Sequence, residues 1–217
     1  FALKGNNCLP IHLAALGKSP EFCKVLIDAY PESVRTRLSD GRLPIHQACS
    51  GRLGTVKYLY ELYPESINVR TNAGLLPIHK SAPSFGREGV EVIRFLLSKD
   101  PNGASKTTTD NRRRLPLHFA CDRPNMFGAC NVNMHAVKLL FDAYPEAIGT
   151  YDGEGYTPLT IVNRLDYSSI RSTVVNFLET QLSYARNAQD RTVMTTADQN
   201  GWLPLHHALH DKATLGA

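Results

Sequence analysis

The sequence predicts an all-α protein built as a stack of about six helix-turn-helix repeats joined by hairpin-like turns. The main observation is a four-residue block, Leu-Pro-Ile-His or Leu-Pro-Leu-His, found at residues 9–12, 43–46, 76–79, 115–118 and 203–206. Thr157-Pro158-Leu159-Thr160 is a degenerate sixth copy, so successive blocks start 34, 33, 39, 42 and 46 residues apart. A period of this length with tolerated insertions is typical of a stacked repeat protein and not of one closed core.

Each repeat begins with a turn and a short helix. Glycine, which supplies positive φ at no steric cost, ends the tripeptides at residues 39–41, 72–74 and 199–201. The block follows, and its proline suits the first helical position, where its preset φ fits and its missing N–H would be unpaired anyway. We therefore predict a helix of about two turns from each block proline. Arg113 stands where the fourth turn needs glycine, which predicts a strained or reshaped turn there.

A longer second helix follows in each repeat, with apolar residues at helical spacing, for example at Val56 and Leu59. It is predicted to end at Tyr-Pro-Glu, because proline disfavours the helical conformation for the residue before it. This motif stands at residues 30–32, 63–65 and 144–146. An aliphatic residue three positions after the proline is expected to pin an extended outgoing segment to the core. These residues are Val34, Ile67 and Ile148.

Insertions concentrate in the later repeats. Turn-forming residues predict loops between the helices at residues 82–89 and 122–133. The fifth repeat is the longest, with irregular segments predicted at residues 164–172 and 183–196. Its outer helix is predicted over residues 172–184. The side chains expected to face inward on that helix are Val174, Val175, Leu178 and Leu182.

The order of turn, proline–histidine block, short helix, longer helix and extended return resembles the ankyrin repeat. The resemblance covers nearly all of residues 1–217 and implies a single ankyrin-repeat solenoid, with repeats starting near residues 5, 39, 72, 110, 152 and 198. The sequence departs from the family in three ways, of which one is Arg113 at the turn-glycine position. Leucine replaces the family's threonine in five blocks, removing a helix-capping hydroxyl worth about 0.5–2 kcal/mol. Tyr-Pro-Glu replaces the family's glycine-containing helix stop.

Composition is that of an ordinary folded chain. Of 217 residues, 42% are hydrophobic, and the formal charge of +4 is too small to indicate nucleic acid by itself. No apolar run approaches the roughly 18 residues of a membrane span. Five cysteines without a Cys-x-x-Cys pair, two of them (Cys49 and Cys121) at equivalent repeat positions, indicate reduced, buried thiols. We therefore expect an intracellular, cytoplasmic protein, with the nucleus left open. Neither end has the polar face of a capping repeat, so we expect a segment of a longer protein.

Catalysis is not predicted, although there are eight histidines. Successive block histidines should lie roughly 10 Å apart, the spacing of packed helices, and each should bond backbone of its own or the next repeat. His206 and His210 have a zinc-compatible spacing but no third ligand. The pair His118 and Cys121 is repeated by His46 and Cys49, which favours a structural cause. No glycine-rich phosphate loop is present. We predict no catalytic residue, no metal and no cofactor.

The exposed turns are the predicted binding surface. The residue after the turn-glycine position is Cys8, Arg42, Leu75, Arg114, Tyr156 and Trp202 in the six copies. Arginine, tyrosine and tryptophan are typical of interface hot spots. With Arg112 from the adjacent basic run, the candidate partner contacts are Arg42, Leu75, Arg112, Arg114, Tyr156 and Trp202. The alternative for Tyr156 and Trp202 is packing against a neighbouring turn.

The distribution of charged residues also favours the turn side as the binding surface. The basic residues in or beside the turns are Arg35, Arg37, Arg42, Arg70, Lys106 and residues 112–114. The acids on or after the long helices include Glu21, Asp28, Glu61, Glu91, Asp142 and Glu146. The turn side should therefore be the more positive one and suit an acidic protein segment. An ordinary solvated charged face is the alternative.

The functional expectation is a non-catalytic scaffold that binds a protein on its turn side, which in the ankyrin family is the concave side. One alternative is a regulatory or targeting segment of a larger enzyme or channel. Nucleic-acid binding is disfavoured, because there is no continuous basic stripe. The sequence leaves open the identity of the partner, the biological process, flanking domains and the oligomeric state.

Overall fold

The computed structural model describes residues 7–50, 52–84, 86–122, 132–164 and 168–195. The chain divides into two compact units, Phe1–Val175 and Asn176–Ala217. Across the described ranges the secondary structure is helical, with turns and no β-strand. The predicted all-α class is confirmed. The last block at residues 203–206, Trp202 and the repeat predicted to start near residue 198 lie outside the described residues.

Short and long helices alternate along the chain. In order they are α1 (Pro10–Gly17), α2 (Pro20–Ala29), α3 (Pro44–Ala48), α4 (Leu53–Leu62), α5 (Pro77–Ser81), α6 (Gly86–Lys99), α7 (Pro116–Cys121), α8 (Met134–Ala143), α9 (Pro158–Asn163) and α10 (Ser168–Thr195). Each of the five described blocks starts its short helix at its own proline, as predicted. The preset φ of proline at this position explains the common start.

The first unit has two helical layers. The short helices α1, α3, α5, α7 and α9 contact one another in sequence order, and so do the long helices α2, α4, α6 and α8. In the first four blocks the residue after the proline lies between the layers and is buried, with at most 5% of its surface exposed in Ile11, Ile45, Ile78 and Leu117. Burial of these aliphatic side chains, at about 1.5–3 kcal/mol each, holds the layers together.

The long helices end where the Tyr-Pro-Glu motif predicts, but the next segment differs from the prediction. A 3₁₀ helix, not an extended segment, begins at each proline: Pro31–Arg35, Pro64–Asn68, Pro101–Ser105 and Pro145–Gly149. Proline fixes φ at a value that also starts a helical turn, which explains the correction. The chain becomes extended only afterwards, at Thr36, Val69 and Thr150. The aliphatic residues Val34, Ile67 and Ile148 are buried as expected.

Two predicted helix boundaries are wrong. Helix α6 begins at Gly86, inside the loop predicted over residues 82–89. Helix α10 continues to Thr195 and so covers most of the irregular segment predicted at residues 183–196. Its sequence has no glycine or proline, so nothing in the backbone interrupts it. Val174 and Leu178 are fully buried. Most of the loop predicted at residues 122–133 lies outside the described ranges.

Four turns connect the repeats, and we call them turn 2 (residues 38–42), turn 3 (71–75), turn 4 (108–114) and turn 5 (152–156). In turns 2, 3 and 5 the first residue's N–H donates to the carbonyl four residues later, at 2.8–2.9 Å. In turn 4 the bond from Thr108 N–H reaches the carbonyl of Arg114, six residues later. Glycine has positive φ in turns 2, 3 and 5, whereas Arg113 has φ of 44° in turn 4. The prediction of a reshaped fourth turn is confirmed.

Successive turns touch each other. The N–H of Asn72 in turn 3 donates to the Asp40 carbonyl in turn 2 at 2.9 Å, and its side-chain amide donates to the Ser39 carbonyl at 2.9 Å. A Cβ on Gly74 would lie 2.2 Å from the backbone nitrogen of Thr109 in turn 4. Glycine is required there by this close approach as well as by its φ of 74°. The turns therefore form one continuous row along the first unit.

Candidate binding face at the turns

The block histidines join each short helix to the next turn. In the four described blocks that contain histidine, the imidazole Nδ1 accepts the N–H of the block leucine at 3.1–3.2 Å. The Nε2 atom lies 2.9–3.1 Å from a backbone carbonyl 23–32 residues later. These pairs are His12 with Thr36, His46 with Val69, His79 with Lys106 and His118 with Thr150. The prediction that these rings bond backbone of their own or the adjacent repeat is confirmed: these partners lie in the same repeat as the ring, and His118 also lies 3.2 Å from the Tyr156 carbonyl in the next repeat.

The partners fix the tautomer of each ring. A backbone N–H can only donate and a carbonyl can only accept, so Nδ1 is unprotonated and Nε2 carries the proton. The ring pairs the N–H of the leucine before each helix. The backbone N–H of the histidine, which a threonine cap would bond, donates instead to the carbonyl of the same leucine at 3.0 Å. Burial lowers the pKa of His46 and His79 to about 4, and it lowers the pKa of His12 and His118 as well. Both nitrogens are committed, so these histidines are structural.

Arg37 and Arg70 link successive turns. Both are among the basic residues from which a positive turn side is predicted. Arg37 Nη1 donates to the Arg70 carbonyl at 3.0 Å. Arg70 Nη1 donates to the carbonyls of Gly74 at 2.7 Å and Thr107 at 2.8 Å. Their 33-residue spacing equals one repeat, which is a sequence sign that they repeat one structural role. Their guanidinium groups are therefore partly used by the fold.

Arg114 is a buried structural residue, and the prediction of an exposed contact there is wrong. Only 7% of its surface is exposed. Its guanidinium pairs with Asp152 at 2.9 Å, with Glu154 at 3.4 Å and with Asp122. Burial alone would lower the pKa of Arg114, but the hydrogen bonds to Asp152 and Asp122 raise it. The position follows a turn of changed length, and three carboxylates around it draw the side chain inward.

The other predicted contacts differ in exposure. Arg112 is exposed and forms an ion pair with Glu154 at 2.9 Å. Tyr156 is half-buried, with the Arg164 guanidinium 4.4 Å from its ring centre. Its ring is therefore engaged within the chain but still accessible. Trp202 lies outside the described residues, so its predicted contact stays a prediction.

Arg42 and Leu75 line a groove between turns 2 and 3 and the last turn of α5. Its volume is about 300 Å³, and its lining residues are Asp40, Arg42, Thr71, Asn72, Ala73, Leu75 and Lys80. Arg42 Nε donates to Asp40 at 2.6 Å, and Arg42 Nη1 donates to Gln47 at 3.3 Å. Lys80 was not among the predicted contacts. It directly follows the block histidine, and among the described blocks it is the only charged residue at that position, which is the sequence feature that could have identified it.

Lys80 gives the groove an excess positive charge. Its side chain is half-buried, and it has no ion pair or hydrogen bond with any residue that the structure describes. Burial, followed by the charge of Arg42, lowers the pKa of Lys80, while Asp40 acts in the opposite direction. The lining residues thus carry two cations and one carboxylate, and that carboxylate is bonded to Arg42.

A larger cleft of about 630 Å³ lies on the other side of the first unit, where α6 and α8 begin. Arg87, Glu91, Arg94 and His135 line it, so both signs of charge are present. The cleft also includes Val132, which adjoins residues outside the described ranges. We assign it no function.

Metal and membrane sites were sought in the part of the chain that the structure describes. There, no group of three or more His, Cys, Asp or Glu side chains is arranged to hold a metal ion. In the same ranges, no helix has both the length and the apolar character needed to cross a membrane.

Comparison with known proteins identifies the fold alone. No protein-family model matches the chain, and no curated protein matches it. A solved structure is similar: a chain in the complex of a predatory endopeptidase from Bdellovibrio bacteriovorus with an immunity protein. It aligns with a TM-score of 0.61 and 15% sequence identity, over 99% of this chain and 95% of that chain. At this identity the likeness concerns the arrangement of helices and not the activity.

Proposed function

We propose that the chain is an ankyrin-repeat array that acts as a non-catalytic scaffold and binds another protein on its turn side. The array is supported by the recurring block, the alternation of short and long helices, and the turn-to-turn contacts. Each repeat cannot bury its own apolar face alone, so stacking of neighbours supplies the core. The same stacking brings the turns into a row and leaves one side of that row open to a partner.

The observation that carries the binding proposal is the groove between turns 2 and 3. It combines an unpaired cation at Lys80, a second cation at Arg42 and an apolar side chain at Leu75. A concave site with a few polar groups beside apolar surface is the usual form of a binding site. Farther along the row, Arg112 and Tyr156 add residue types that are enriched at protein interfaces.

A catalytic role has less support. The four described block histidines have both ring nitrogens bonded to backbone, which removes the most obvious general bases. Burial raises the pKa of the thiols of Cys23 and Cys49, which disfavours the reactive thiolate. The solved neighbour belongs to a complex between two proteins, which is consistent with a protein partner for this fold.

The test is affinity capture from the source cell, followed by measurement of binding with purified partner. Leu75→Ala and Tyr156→Ala change the turn side, and Lys24→Ala changes an exposed residue of α2 as the matched control. We expect each turn-side variant to weaken binding by about 1–2 kcal/mol and the control by less than about 0.5 kcal/mol.

Equal affinity of all three variants would contradict the proposed binding side. Capture that is abolished by nuclease, with affinity that falls steeply as salt is raised, would indicate nucleic acid instead.

A further inference from the structure

We infer that the groove between turns 2 and 3 binds a carboxylate side chain of an acidic segment of the partner, with Lys80 as its anchor. The inference rests on the proposed function, because it names the partner chemistry at the same face. It assigns a ligand class to the groove and a role to Lys80, whose ammonium has no partner among the described residues.

Lys80 differs from neighbouring cations in having no partner among the described residues. Six basic residues at the turns are used within the protein, because each donates to a carboxylate or a carbonyl: Arg37, Arg42, Arg70, Lys106, Arg112 and Arg114. A half-buried ammonium without a counter-ion is costly, because burial disfavours the charged form. A carboxylate supplied by a ligand would offset that cost and form a charge-assisted hydrogen bond.

The fold does not require a cation at this position. The residue that directly follows the third block is Lys80. The residues that follow the other described blocks are Leu13, Gln47, Phe119 and Ile161. All four equivalents are uncharged, although their short helices pack in the same layer. The positive charge of Lys80 is therefore not needed to hold α5 in place and serves another purpose.

The neighbouring residues define what else the ligand should carry. Asp40 is already bonded to Arg42, so the groove has no free carboxylate of its own for Lys80 among its lining residues. Leu75 is half-buried at the same groove and offers an apolar contact. A volume of about 300 Å³ is at the lower end of the range for ligand sites. It suits one acidic side chain with an adjoining apolar side chain.

The test uses a capped hexapeptide of alternating glutamate and leucine, with a glutamine–leucine hexapeptide as the uncharged probe. Lysines are labelled by reductive ¹³C-methylation and followed by NMR, while backbone amides report on other residues. Lys80→Met removes the charge and keeps the length of the side chain. Lys24→Met is the matched control on the exposed face of α2, and the amide spectrum of each variant verifies folding.

We expect the glutamate peptide to perturb Lys80 and Leu75 and to raise the pKa of Lys80 towards its ordinary value. Lys80→Met should weaken binding of that peptide about fivefold, and Lys24→Met should leave it unchanged within about twofold. The glutamine peptide should bind more weakly than the glutamate peptide. Added salt should reduce that difference, because it screens exposed charges.

Several results would overturn the inference. Peptide binding that perturbs other turn residues but not Lys80 would reject the site and leave the proposed scaffold function intact. Equal binding of the two peptides would reject the acidic ligand. Stronger binding of inorganic phosphate or an oligo-dT strand at Lys80 would assign the groove to phosphate. No perturbation at millimolar peptide would also reject the inference, while the capture experiment would decide the scaffold function independently.

Discussion

Turns 2 and 4 carry the same residue type at the same place but use it differently. Arg42 and Arg114 each follow the residue with positive φ. Arg114 is buried among three carboxylates, whereas the Arg42 side chain keeps a third of its surface exposed and has Asp40 as its one carboxylate partner among the described residues. The same position of the repeat thus forms either a buried ion-pair network or an accessible charge, depending on the acidic residues that adjoining elements supply.

The block histidines also differ in the charged groups that shift their pKa. After burial, the pKa of His46 is lowered further by nearby Lys80, and that of His79 by nearby Arg70. Burial also lowers the pKa of His118, but Asp152 acts in the opposite direction. The charges nearest His46, beside turn 3, are therefore positive, whereas the carboxylate of Asp152 in turn 5 opposes the positive charge of Arg114 near His118.

The largest expected effect is loss of stability in acid. The pKa of His46 and His79 is about 4 in the folded protein, below the ordinary value of 6.5, so the unfolded chain binds more protons. The stabilisation is complete above pH 6.5 and declines as pH falls towards 4. At pH 5 the loss should be about 2 kcal/mol for each of the two rings. Urea denaturation between pH 7.5 and 5 measures it.

Histidine titration by NMR sharpens the comparison between the two regions. We expect His118 to gain its proton at a higher pH than His46 and His79, because Asp152 favours the imidazolium. An unfolding free energy that is constant from pH 7.5 to 5 would contradict the neutral, buried histidines.

Arg114→Met should destabilise the protein by about 3–5 kcal/mol, because it leaves the buried Asp152 carboxylate without its cation. Arg112→Met is the control, since the Arg112 side chain is 57% exposed and its ion pair with Glu154 contributes at most about 1 kcal/mol. Chemical denaturation of both variants measures the difference. Equal losses would mean that the two arginines do not differ in role.

Arg42→Ala should cost less than about 1 kcal/mol of stability, because its pair with Asp40 is partly exposed to solvent. The same change should weaken partner binding at the groove. Parallel denaturation and binding measurements separate the two effects. A loss of stability as large as that caused by Arg114→Met would show that turn 2 depends on a buried ion-pair network like that of turn 4.

Lys80→Met should have the smallest effect on stability and the opposite sign. Burial lowers the pKa of Lys80, so removing the charge should leave stability unchanged or raise it by less than about 1 kcal/mol. Denaturation at pH 7 measures this change. Clear destabilisation would indicate a structural role for the ammonium and would argue against its availability to a partner.

The helical pattern was predictable from local sequence, and the charge arrangement was not. Block prolines fixed the starts of the short helices, and the 3.6-residue periodicity with Tyr-Pro-Glu located the long ones. The acids around Arg114 lie 8, 38 and 40 residues away, on other elements, so its burial depends on tertiary packing. Lys80 was missed for a related reason, because its lack of a partner is visible only when the neighbouring side chains are placed.

The most direct test of the binding face is hydrogen–deuterium exchange of the protein with and without its captured partner. We predict slower exchange in the partner complex at turns 2 and 3 and at the last turn of α5, with unchanged exchange along α2 and α4. Slower exchange confined to α2 and α4, with turns 2 and 3 unaffected, would contradict the account.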